Sequence, residues 1–443
     1  MPSPVTQQAT PRPWKRATLW LLILGALFFS SYNAANWLAS QRAQVPSIVF
    51  AWESQIPYWR WSIVPYWSVD LLYCLSLFIC TTRRELDTHA RRLLAVQLIS
   101  VAIFIIAPLR YTFVRPETTG IFGAMLDALL LFDKPFNQAP ALHISLLVII
   151  WVRFFAHLHG PRRWLLDAWF TLIGVSVLTT YQHHFFDIPT GLWAGWFCVW
   201  LFPDNAKPPA ASLHYTRDPR RRQLALRYGA GAIFAAAIAL LTGGWGLWLL
   251  WLAGALLLVA LIYACLDAFA FQKDPDGSMN LASHWLMGPY FVLAWINSRW
   301  WTRHMHATSA VTPDVWIGRL PSYEAGLPAG THTVIDLCAE LPYPMPTTVY
   351  RSVPALDLIP LTTTQLEALA HAIGRARAHG TVLVCCALGF SRSAAAVAAW
   401  LITSGRAANA HDAAMQIRAA RSQVVLSNAQ CVALDALPRT SAN

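Results

Sequence analysis

Charge is scarce in this chain, and acid is scarcest. Of 443 residues only 12% are charged, with 22 acidic side chains against 33 basic ones, which excludes a soluble protein of ordinary composition. Cysteine is no framework either: Cys74, Cys80, Cys198, Cys265, Cys338, Cys385, Cys386 and Cys431 show no paired pattern and no metal-ligand spacing. Three of them lie in apolar segments, and those of the tail would be reduced in a cytoplasm. A redox-sensitive disulfide between the vicinal Cys385 and Cys386 stays open as an alternative. Internal repeats and low-complexity tracts are absent. Apolar residues, by contrast, make up 56% of the chain, with 22 tryptophans. The balance implies an integral membrane protein carrying a soluble tail. A net charge of +11 would suit a nucleic-acid binder, but the basic residues cluster beside apolar segments, so positive-inside topology accounts for them without a nucleic-acid partner.

Eight segments are long enough to cross a bilayer, at about 17–38, 61–81, 93–109, 141–158, 164–181, 185–202, 228–243 and 245–264. The first could be a cleaved signal peptide, but its apolar run is long for one and reads better as a retained anchor. Gly243-Gly244 should close the last two into a tight hairpin. Basic groups at Arg12, Lys15 and Arg16, at Arg83, Arg84, Arg91 and Arg92, at Arg162 and Arg163, and from Arg217 to Arg227 fall on one side if the spans alternate from an inside N-terminus. An even number of spans then returns the tail to the cytoplasm. Residues 284–297 contain Pro289 and are short for a span, so they read as an interfacial helix.

The tail is organised around Thr381-Val-Leu-Val-Cys-Cys-Ala-Leu-Gly-Phe-Ser-Arg-Ser393. An apolar β-branched run reaches a cysteine, a turn containing Gly389 closes at Arg392, and a helical run follows. If the backbone N–H groups of Ala387, Leu388, Gly389, Phe390 and Ser391 converge ahead of a helix N-terminus, the loop becomes a cradle for a tetrahedral dianion. Arg392 can hold two phosphate oxygens bidentately, as a lysine could not. The same positive field suits a sulfur anion at Cys386, and the anion is the nucleophile. Ser393 is placed to help expel that sulfur in a second step. Upstream, Thr364 to Arg377 places Leu366, Leu369, Ala370 and Ile373 on one face, as in a core helix.

This loop resembles the Cys-x5-Arg signature of the protein tyrosine phosphatase superfamily, in its dual-specificity branch, although Cys385 stands where that family usually has histidine. The resemblance implies an aspartate general acid on an earlier loop, and Asp357, 29 residues before Cys386, matches it. Val311 to Pro321 and Thr333 to Glu340 are similar to the family's first strands, with Asp336 and Cys338 structural, and Ala419 to Asn428 to its closing helix region. The likeness runs over about 305–437.

A second constellation lies at membrane depth, where ionisable residues are functional candidates. Arg115-Pro116 follows the third span, His143 opens the fourth, and His183, His184 and Asp187 close the fifth. By parity all face outward. Arg115 would hold phosphate, His183 would attack phosphorus with Asp187 holding its ring, and His143 would protonate the leaving group. The set resembles the type 2 phosphatidic acid phosphatase superfamily over about 60–205. Pro108, Ala141 and Val177 replace that family's lysine, serine and arginine, so phosphate coordination is thinner here.

These readings divide the chain into a basic N-terminus and anchor (1–60), a phosphatidic acid phosphatase-like membrane domain (61–205), a basic loop and hairpin (206–264), a linker with an interfacial helix (265–304) and a dual-specificity phosphatase domain (305–437). The expected fold is a multi-pass helical bundle with a C-terminal α/β domain. The expected activity is phosphomonoester hydrolysis without metal or other cofactor, on phospholipids or phosphoproteins, at a bacterial inner membrane. A lipid phosphotransferase and a lipid or phosphate sensor are the alternatives.

Overall fold

Apolar runs give helices up to Trp301, and only beyond that do β-branched segments alternate with helices. The computed structural model describes residues 11–131, 134–323, 326–343, 345 and 349–438; the polar start at residues 1–10 and the tail after residue 438 lie outside them. The chain forms two compact units, Met1–Pro208 and Pro209–Asn443.

The first unit contains helices α1 (Trp14–Ser40), α2 (Ile63–Phe78), α3 (Arg83–Ile106), α4 (Gly120–Leu130), α5 (Leu142–His157), α6 (Pro161–Thr179) and α7 (Asp187–Leu201). Every span expected in this region coincides with a helix, and α4 is an addition. Among the described residues, four helical stretches are long and apolar enough to cross a membrane: Trp14–Ser40, Arg83–Ile106, Pro219–Thr242 and Gly244–Cys265. Helices α2, α5 and α7 have only 16, 16 and 15 residues; at about 1.5 Å per residue they fall short of a hydrocarbon core about 30 Å thick.

The expected basic loop at Arg83 to Arg92 is corrected. Helix α3 already starts at Arg83, with the Thr82 hydroxyl accepting the Glu85 N–H. Arg92 is buried and ion-paired to Asp204 at 3.0 Å, and Arg153 of α5 joins Asp204 to Glu85. These charges tie α3, α5 and the chain beyond α7 together instead of marking a solvated loop. Close packing of α5 on α7 depends on small residues: a Cβ at Gly191 or Gly195 would lie 2.6 or 2.8 Å from backbone oxygens of Ala141 and Ser145.

The second unit opens with the hairpin α8 (Pro219–Thr242) and α9 (Leu249–Cys265), turned at Gly243 and Gly244 with φ of +58° and +47° as glycine permits. Helix α10 (Leu281–Trp301) follows, then β1 (Thr308–Ala310), β2 (Val315–Arg319), β3 (Thr331–Cys338), β4 (Val349–Ala355), α11 (Thr363–Arg377), β5 (Thr381–Cys386), α12 (Arg392–Thr403), α13 (Ala410–Ala420) and α14 (Asn428–Asp435). The sheet order is β1-β2-β5-β3-β4, parallel except for β1. The core helix expected at 364–377 is α11, its predicted face buried and its start closed by a Thr362/Gln365 capping box.

Residues 265–304 are not a linker. The Lys273 ammonium is buried against Asp336, and Ala294 of α10 packs on the sheet face formed by Leu320, Val334, Leu383 and Cys385. The opposite face belongs to α11 and α12. Leu341, Tyr343 and Met345 cover the same face as Ala294, and a domain beginning at 305 would lose the Ala294 contact and leave Asp336 buried without the Lys273 charge. Helix α10 is also longer than expected, 21 residues through Pro289. Its other face leaves Trp285, Val292, Trp295, Ile296, Trp300 and Trp301 exposed, the pattern of a helix lying against lipid.

Candidate active site

Strand β5 is central in the sheet, with parallel neighbours on both sides, so its apolar run is continuous, as burial on two faces requires. Successive side chains alternate faces. Cys385 therefore joins the core under α10, and Cys386 joins the core under α12. The two side chains belong to the cores on opposite faces of the sheet, and both cysteines are free in this structure.

Beyond Cys386 the chain turns at Gly389, φ +76°, where a Cβ would lie 2.4 Å from the Gly318 carbonyl carbon. Glycine is needed there both for the left-handed backbone and for the approach of β2. The turn directs the Gly389 N–H at Cys386 Sγ, 3.2 Å away, and brings Ser393 Oγ to 3.4 Å from the same sulfur. Helix α12 starts behind Ser391 without a side-chain cap, leaving its first N–H groups to the loop. Arg421, buried, donates to the carbonyls of Leu388 and His306, and the Val425 N–H donates to the Phe390 carbonyl. Holding these carbonyls outward keeps the amides turned inward. Residues 419–428 were expected to form a closing helix region; of these, 421–427 are instead the loop between α13 and α14 that makes these bonds.

Arg392 is 3% exposed, and its guanidinium is already engaged. Glu340, past the end of β3, takes Nη1 at 2.9 Å and also bonds Nη2, while Asp357 Oδ1 lies 3.0 Å from Nη2. The Ala355 carbonyl accepts from Nη1 as well. Among the described residues Nε has no partner. A bidentate grip on phosphate is thus not standing free: Nε is open, and Nη2 becomes so when Asp357 leaves it. Burial pushes the Glu340 carboxyl up, but Arg392 outweighs this and holds it below the usual range. At Asp357 burial wins over Arg392, and the carboxyl titrates above its ordinary value. An aspartate kept protonated to higher pH is suited to donating a proton. Leu358 follows it at φ +60°, a conformation that costs a non-glycine residue roughly 1–2 kcal/mol.

Sequence reasoning missed Glu340 and Arg421. Glu340 follows the apolar run that ends β3 at Cys338 and is an acid with no obvious access to solvent; Arg421 carried no comparable signal.

In the first unit, the Ala141 N–H donates to the Asp187 carbonyl, joining the starts of α5 and α7. His183 Nδ1 lies 3.2 Å from Asp187 Oδ2, with both residues buried. Asp187 also accepts the His184 N–H. His184 turns away to Glu53, 2.9 Å from Nδ1, and stacks on Tyr111. Glu53 went unremarked, yet it is the first acidic residue of the chain and is almost fully buried. His143 stacks on Tyr66 at 4.2 Å between ring centres, its Nε2 without a hydrogen-bond partner among the described residues. Arg115, expected to hold phosphate, is bound by Asp127 at 2.7 Å instead. Among the described residues no group of three or more His, Cys, Asp and Glu could hold a metal ion.

No family model matches the chain, and no curated protein matches it. Over 29% of its length the chain is similar to solved structures of dual-specificity and tyrosine phosphatases. Human DUSP28 is 24% identical over 29% of this chain and 90% of its own, with a TM-score of 0.26. Tk-PTP in its active form is 24% identical over 29% and 93%, with a TM-score of 0.27. PTPMT1 in complex with PI(5)P is 18% identical over 29% and 92%, with a TM-score of 0.26.

Proposed function

We propose that this chain is a membrane-bound phosphomonoester hydrolase working through Cys386. The observation that carries the reading is the sulfur's setting: the Gly389 N–H and the Ser393 hydroxyl both meet Cys386 Sγ, on the loop that leads into an uncapped helix opening at Arg392, itself paired with Asp357. Cys386 attacks phosphorus in line, and the leaving oxygen takes its proton from Asp357. Water then attacks the phosphocysteine, Ser393 donates a hydrogen bond to the departing sulfur, and phosphate is released. Throughout, the loop amides and the free edge of Arg392 stabilise the equatorial oxygens. Glu340 holds the other edge, so the guanidinium cannot rotate away.

The substrate class favoured is a phospholipid monoester over a phosphoprotein. In support, α9 and α10 wall an apolar groove of about 790 Å³ with Trp251, Trp285, Phe291, Trp295 and Leu341 in its lining, and the exposed tryptophans of α10 suit a lipid interface. We place the domain on the cytoplasmic side of a bacterial inner membrane on the strength of the basic clusters at 12–16, 162–163 and 217–227; eight crossings require the short helices α2, α5 and α7 to span a locally thinned bilayer.

The pair His183 and Asp187 supports a second, outward-facing site of the phosphatidic acid phosphatase kind. With Arg115 engaged by Asp127, that site reads equally as a slow phosphatase, a lipid phosphotransferase or a sensor.

The test is phosphate release in proteoliposomes from phosphatidic acid, phosphatidylglycerophosphate and a phosphotyrosine peptide. Cys386→Ser should lower release from the preferred substrate on the order of 10^4-fold or more, and His183→Ala should leave that substrate untouched. Equal release by wild type and Cys386→Ser on all three would sink the reading.

A further inference from the structure

Tyr263 stands near the end of α9, a helix within a stretch apolar enough to cross a membrane, yet it is 1% exposed. Its hydroxyl donates to the backbone carbonyl of Asp357 at 3.1 Å. The ring is not placed there by chance packing. It lies 5.5 Å from Tyr228 of α8, which meets Tyr290 of α10 edge to face at 5.8 Å. Arg221 donates to the carbonyls of Tyr263, Ile262 and Leu266, fixing the end of the helix that carries the tyrosine. The acid loop receives this bond where it needs support, since the next residue, Leu358, sits at positive φ and is 62% exposed.

We infer that Tyr263 is a positioning residue for the Asp357 general acid, so that the apolar hairpin is a working part of the catalytic site and not only an anchor. The inference rests on the phosphatase reading. Tyr263 touches neither substrate nor sulfur; it fixes the carbonyl of Asp357, and through it the direction from which the carboxyl meets the leaving oxygen. Loss of the hydroxyl should therefore weaken proton donation and leave attack by Cys386 intact. Proton donation matters most where the departing oxygen is basic.

The experiment compares kcat for phenyl phosphate and para-nitrophenyl phosphate, two esters of similar shape with a more and a less basic leaving group, in the full-length protein in detergent. Tyr263→Phe keeps the ring in its packing, and the thermal midpoint is recorded alongside. Expected is a fall of about tenfold with phenyl phosphate and less than about twofold with the nitrophenyl ester, and no further fall when Tyr263→Phe is added to Asp357→Asn. Tyr228→Phe, which loses no bond to the acid loop, should not change the ratio between the two esters. An equal loss on both esters, no loss on either, or full additivity with Asp357→Asn overturns the positioning role while wild-type turnover still exceeds that of Cys386→Ser. If wild type and Cys386→Ser release phosphate alike, the phosphatase reading itself has failed.

Discussion

The two candidate sites differ in how completely their parts are brought together. In the second unit, the sulfur meets a loop amide and a hydroxyl, and Arg392, next in the chain to that hydroxyl's residue, meets Asp357. Further groups hold them: Glu340 holds Arg392, Arg421 the loop carbonyls and Tyr263 the acid loop. In the first unit, His183 and Asp187 meet, but Arg115 is paired through Nη2 with Asp127, its Nη1 having no partner among the described residues, and His143 packs on an aromatic ring. A set of the right residue types is not yet a site. What marks the second is a shell of further groups that holds its members in place.

The sharpest way to break this comparison is to remove the shell from the better site. Glu340→Ala leaves a buried guanidinium without its carboxylate and should cost about 3–5 kcal/mol of stability at neutral pH, read by chemical unfolding of the second unit's signal. Because the Glu340 carboxyl is lowered in the fold, its stabilisation is complete above the ordinary glutamate range and fades as pH falls through the lowered value. The gap between variant and wild type should therefore shrink in acid.

Asp357→Asn comes next, with kcat for a basic leaving group falling about 10^2-fold or more. The raised carboxyl keeps its proton to higher pH than an ordinary aspartate, so wild-type kcat should hold and then fall as that proton is lost; the asparagine variant should lack this falling limb. Stability moves in the same direction. A raised folded value means stability declines as pH climbs from the ordinary aspartate range through the raised one, and asparagine should abolish that decline.

The smallest effect is expected in the first unit. Asp127 is 68% exposed, and Asp127→Ala should change stability by no more than about 1 kcal/mol. It frees Arg115, and any His183-dependent phosphate release should rise, by up to roughly fivefold on the same energy scale. A rise would narrow the difference between the sites; an unchanged rate would mean that the arginine is not what the first site lacks.

Much of the second site was readable before folding because its parts are contiguous. The run from Val382 to Ser393 encodes strand, turn and helix in one stretch, and Gly389 is the residue such a turn demands. Asp357 needed the resemblance to a known family, since only a long separation connects it to the loop. Glu340, Arg421 and Tyr263 could not be assigned roles, for each acts through a partner 33 to 94 residues away; only Glu340, an acid among apolar neighbours, stood out by type. The same holds for the covering of the sheet. Local periodicity shows that α10 is apolar on more than one face, but not that one face packs on the sheet below Ala294.

By itself, then, the sequence determined where the apolar helices fall, that residues 381–386 form an apolar strand, and which turn joins that strand to the following helix, because hydrophobic period and turn chemistry are local quantities. Tertiary structure alone decided that residues 265–304 belong to the α/β fold, that Arg115 and Arg392 have prior partners, and that a hairpin tyrosine reaches the acid loop. Those outcomes depend on which buried polar groups find one another across the chain, and a buried charge or hydroxyl takes whatever partner the packing leaves within reach.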